Sequence, residues 1–124
     1  MSKKIYFKGR QLRKDGNSNF IYLIEENNGE RPSREITIIV HARWYDEELM
    51  RIEKLDITQS RSVGVLLRYI ALEAAEQYDK IISGASESTF REIPPDRAID
   101  FDEITNLSKG DFPEVILPEH SPQS

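Results

Sequence analysis

The sequence predicts an α+β fold: a three-stranded antiparallel β-meander, a short helix and one long amphipathic helix packed on the sheet, with a largely extended acidic C-terminal tail. Three observations predict it. Aromatic and β-branched runs alternate with turn residues up to position 43, an apolar repeat of helical period fills positions 60–82, and the composition changes after Ser83 and Gly84. The chain is therefore expected to divide into a globular part, residues 1–83, and an acidic, Pro-containing tail, residues 84–124.

KKIYFKGRQLR and FIYLIEE, separated by KDGNSN, read as a β-hairpin, because Asp15, Gly16 and Asn17 supply turn conformations between strand-forming flanks. The turn leaves the register open, and a slip of one residue would exchange the two faces. A second turn lies at NNGERPS, where Gly29 permits positive φ and Pro32 removes a ladder donor. EITIIVHAR is the third strand, with Ile36, Ile38, Val40 and Ala42 on one face and Thr37, Ile39, His41 and Arg43 on the other. A short helix is expected over about 46–55, with Asp46 as N-cap, Glu47 and Glu48 in the first turn, and Tyr45 and Met50 as a hydrophobic staple.

In the long helix, Val63, Leu66, Leu67, Ile70, Ala74, Tyr78 and Ile81 form one stripe, the face expected to cover the sheet. Val65, Tyr69 and Leu72 form a second stripe among Arg61, Arg68, Glu76 and Asp79, which a helix resting on one open sheet does not need; another copy, a partner or the chain's own tail would cover it. Gly64 costs helix stability unless another backbone packs closely there. The tail carries five of the six prolines. Within it AIDFDEITNL, with Phe101 and Ile104, is suited to order against a surface as a short helix, and FPEVILPEH, with Val115, Ile116 and Leu117, as an added edge strand.

Composition bounds the function. At 38% apolar and 31% charged residues the chain suits a globular protein with a polar extension. No apolar run approaches the length of a membrane span, and no apolar stretch of signal-peptide length follows the first lysines, so a cytoplasmic protein without a membrane partner is expected. The absence of Cys excludes disulfides and thiolate chemistry. The net charge of −5 conceals a gradient: residues 1–14 hold six Lys and Arg and no acid, whereas residues 84–124 hold nine acids against three bases.

Three functional readings follow. The leading one is a non-catalytic interaction or regulatory module that engages a protein partner or a second copy through Val65, Tyr69 and Leu72 of the helix and Phe101, Ile104, Val115, Ile116 and Leu117 of the tail. The second is nucleic-acid binding: if the first strand alternates regularly, Lys4, Tyr6, Lys8 and Arg10 share a face to which Arg43 adds a cation. In the same vein, EAAEQYDKI resembles the helix of plant AP2-type DNA-binding domains, but their Trp-containing strand motifs are missing and the spacing differs. The third is a small ligand pocket or enzyme site beside His41, Arg43, Trp44 and Tyr45. No phosphate loop, nucleotide fingerprint, serine-hydrolase elbow or metal-ligand spacing occurs, so no cofactor and no metal is expected.

Overall fold

The computed structural model describes residues 3–26, 29–55, 61–109 and 114–117. Strands β1 (Lys3–Leu12), β2 (Ser18–Glu26) and β3 (Arg34–Val40) form an antiparallel meander. The first hairpin closes where the sequence places its turn: Arg13 N donates to Asn17 O at 2.8 Å, and Gly16 adopts φ 88°. Helices α1 (Ala42–Lys54) and α2 (Ser62–Ser83) follow, then β4 (Phe90–Glu92), α3 (Phe101–Ser108) and β5 (Glu114–Ile116).

The meander is not the whole sheet. Its order is β4-β3-β2-β1-β5, with β4 parallel to β3 and β5 parallel to β1, so the sheet is mixed and five-stranded. Parallel neighbours require long crossover connections, and the helices provide them. Much of the predicted tail is therefore framework rather than an extended appendage. AIDFDEITNL and part of FPEVILPEH do form a short helix and an edge strand, but they order against the chain's own helix and sheet.

The core lies between the sheet and α2. Phe20, Tyr22 and Ile24 of β2, Ile36, Ile38 and Val40 of β3, and Leu66, Ile70, Ala74 and Tyr78 of α2 are buried there. The Tyr22 hydroxyl donates to Leu67 O at 2.8 Å and that of Tyr78 to Glu26 at 3.0 Å, so neither buried phenol is left unsatisfied. From the expected sheet-facing stripe, Val63 is instead exposed.

Three local features depart from the sequence reading. Helix α1 starts at Ala42, not Asp46, because Asn17 in the β1–β2 turn accepts the Ala42 N–H at 3.0 Å and supplies from a distance the cap that no local side chain gives. The third strand accordingly ends at Val40, and neither His41 nor Arg43 belongs to it. In β1 the pairing steps from Phe7↔Tyr22 to Gly9↔Ile21, leaving Lys8 as the extra residue of a β-bulge with Gly9 at φ 151°.

Candidate interaction surface

Helix α2 lies against the sheet on the side of Phe20, Tyr22 and Ile24, and residues paired in register share a face. The opposite face therefore carries Tyr6 beside Leu23, Leu23 beside Glu35, Ile21 beside Thr37, and Asn19 between Gln11 and Ile39. At its margins Phe90 stands beside Thr37, Glu92 beside Ile39 and Ile116 beside Tyr6. Across five strands this makes an apolar centre of Tyr6, Ile21, Leu23 and Ile39, flanked by Phe90, 50% exposed, and Ile116, 38% exposed. Among the described residues no helix crosses it.

Charge on this face is mixed, because Lys4 of β1 is in register with Glu25 of β2 on one side and with Glu114 of β5 on the other. The Glu25 carboxylate accepts the Tyr6 hydroxyl at 3.2 Å. Across the sheet stand the acids Glu35 of β3 and Glu92 of β4. Beyond Val40, His41 Nε2 lies 2.5 Å from Glu92 Oε2 and ties the start of α1 to the sheet margin.

The bulge divides the predicted cationic face. With Lys8 inserted, Arg10 pairs with Phe20 and turns to the helix side, its guanidinium 5.2 Å from the Phe20 ring and 4.8 Å from the Tyr45 ring, and it donates to Ser18 Oγ at 3.0 Å. Lys4 and Tyr6 remain on the open face. Arg43 lies on α1, exposed and paired with Glu47 at 3.1 Å. The structure thus does not gather Lys4, Tyr6, Lys8, Arg10 and Arg43 into one stripe.

The residues around His41 likewise point apart. Trp44 and Tyr45 are buried, the indole N–H donating to Arg97 O at 2.7 Å and the phenol ring packing 5.5 Å from Phe20. His41 and Arg43 face elsewhere, so the four do not line a common pocket. Among the described residues no three His, Asp or Glu side chains are placed to hold a metal, and no helix is long and apolar enough to cross a membrane. His120 lies outside the described residues.

The second stripe of α2 is covered by the chain itself. Val65 and Tyr69 are buried and Leu72 partly so. Trp44 lies 6.0 Å from Tyr69, and Ile104 and Leu107 of α3 are buried where that helix packs on α2. Leu117 reaches Gly64, while Val115 packs on the core from β5. Of the tail residues expected to meet a partner, Phe101 and Ile116 stay exposed.

Between α2 and the strand margin, Glu73 is buried between Arg91 at 2.8 Å and Arg97 at 2.6 Å, and Arg97 also donates to the Tyr69 hydroxyl at 3.0 Å. That bond, together with the Glu73 carboxylate, holds the Arg97 guanidinium more firmly protonated than usual, whereas burial pushes the Tyr69 phenol up. All four groups are engaged in holding the chain together. This is an internal clasp.

The apolar members of the open face, Ile21, Leu23, Ile39 and Phe90, were not singled out from sequence as site residues. The signal was present in FIYLI, an uninterrupted apolar run where a strand with one wet face would alternate. No protein-family model, curated protein or solved structure matches this chain.

Proposed function

We propose that this protein is a non-catalytic protein-interaction module that engages its partner through the open face of the sheet. One observation carries the reading. The central strand β2 is apolar on both sides, Phe20, Tyr22 and Ile24 inward and Ile21 and Leu23 outward, the pattern of a strand covered on both faces, yet the described chain covers only one. Among the described residues the helices close the other side and leave this face as an apolar surface for a partner.

Supporting the choice of a protein over a nucleic acid is the charge: Glu25, Glu35 and Glu92 accompany Lys4 on this face, and acids beside phosphates are repulsive. The test is affinity capture from an extract of the source organism with wild-type bait and with Ile21→Glu/Leu23→Glu bait, both checked for an unchanged circular dichroism spectrum. Proteins retained by wild type and lost by the variant are expected. An identical retained set would overturn the reading.

A further inference from the structure

We infer that the occupant of the open face is a second copy of this chain, packed sheet to sheet about a two-fold axis running parallel to β2; the inference rests on the reading of that face as the interaction surface. Such an axis exchanges the two flanks of the sheet, so that the β1–β5 side of one copy lies over the β3–β4 side of the other. One charged pair and the two apolar margins of the face then match themselves. Lys4 on β1 comes opposite the flank holding Glu35 of the other copy, within reach of two long side chains across the about 10 Å that separates packed sheets. Phe90 and Ile116, exposed at opposite margins, are carried toward each other and cover one another.

An axis perpendicular to the strands lacks this match, because it sets Lys4 over Gln11 and Glu35 over Thr37. Near the parallel axis Glu25 approaches its own counterpart, and the adjacent Lys4 of each copy offsets that repulsion. The size of the contact sets its strength. Five strands at about 4.8 Å spacing and roughly six residues at about 3.3 Å give about 500 Å² per copy, or about 1,000 Å² in all, the lower limit for a specific interface. A reversible dimer of modest affinity is what such an area supports.

Sedimentation velocity of the full chain from about 5 to about 500 µM, the range in which an interface of this size associates, is the test. Wild type is expected to pass from 14.4 kDa to twice that mass as concentration rises. Lys4→Glu and Glu35→Lys are each expected to weaken self-association at least about tenfold through like-charge contacts. An equimolar mixture of the two restores the dimer, because both Lys4–Glu35 contacts are then opposite in charge. This rescue also excludes misfolding as the cause of the single-variant loss.

A wild-type monomer throughout the range, or a mixture no more associated than its components, would overturn the second-copy inference. The interaction reading would survive that result if the Ile21→Glu/Leu23→Glu bait still lost a foreign protein. It would fall with the inference only if the captured sets were also identical.

Discussion

The β1–β3 meander and the stretch from Ala85 to Ile99 belong to the same body but are held by different physics. In the meander the strands are long, alternate in and out, and bring their own apolar side chains to the core. The later stretch has a three-residue strand and two fully buried apolar side chains, Ile93 and Ile99. Its position is fixed by side chains of the helices that grasp its backbone. Gln77 donates to Ser88 O at 2.7 Å, Trp44 to Arg97 O at 2.7 Å and Arg51 to Ile99 O at 2.9 Å, while the buried Glu48 accepts the Ile99 N–H at 3.3 Å. A segment poor in apolar residues is thus ordered when its neighbours satisfy its polar groups, which are costly to bury alone.

The largest effect should break both regions together. Tyr22, Tyr45, Tyr69 and Tyr78 are shared between sheet, helices and the later stretch, and burial pushes each phenol above its ordinary value of 10.0. Their folded values are raised, so the stability they confer is complete below about pH 10 and is lost as pH rises beyond it. Alkaline titration followed by phenolate absorbance and circular dichroism should show these four ionising with cooperative unfolding. Their ionisation near pH 10 with the fold intact would contradict the packing described.

Two substitutions should separate the regions. Ile99→Ala is expected to cost about 2–4 kcal/mol, because the side chain is 1% exposed and its loss leaves a cavity. Glu73→Ala should cost about 2–3 kcal/mol: breaking a buried pair costs about 3–5 kcal/mol, less here because Arg91 and Arg97 retain partial solvent contact. Urea unfolding measures both, and hydrogen exchange should show protection falling from Ser88 to Ile99 before it falls in β1 and β2. Equal loss in both regions would show that the clasp is not a separable unit.

These differences decide what could be read in advance. The turn at Asp15–Asn17, the period of α2 and the apolar face of β3 are local patterns, and they were legible. The bulge at Lys8 changes which face Arg10 occupies without changing composition, and Gly9 was its only trace. The start of α1 depends on Asn17, 25 positions away. For that reason Asn17→Ala is expected to cost about 1 kcal/mol, measurable by thermal or urea unfolding, as for loss of a helix cap. The second stripe of α2 was legible as an apolar surface in need of cover. Its occupants, Ile104 and the residues around Trp44, were not, because nothing local ties them to Tyr69. Much the same holds for the open face, where FIYLI signals two buried sides without naming what covers the second.

Gly64 gives the smallest expected effect and distinguishes two reasons for a glycine in a helix. If another backbone lay against it, an added methyl group would clash and destabilise the junction between α2 and β5. The neighbours are instead side-chain atoms at ordinary contact distance: a Cβ there would meet Arg68 Nη1 at 3.6 Å and Leu117 Cδ1 at 3.9 Å. Nothing has to move. The helix-propensity difference between glycine and alanine then acts alone, and Gly64→Ala should stabilise the fold by about 0.5–1 kcal/mol. In a domain of this size that is a rise of about 2–5 °C in thermal midpoint. Since the methyl group also touches Leu117, hydrogen exchange in β5 should slow slightly in the variant. A lowered midpoint would mean that α2 and the strand end approach more closely than the side-chain contacts indicate.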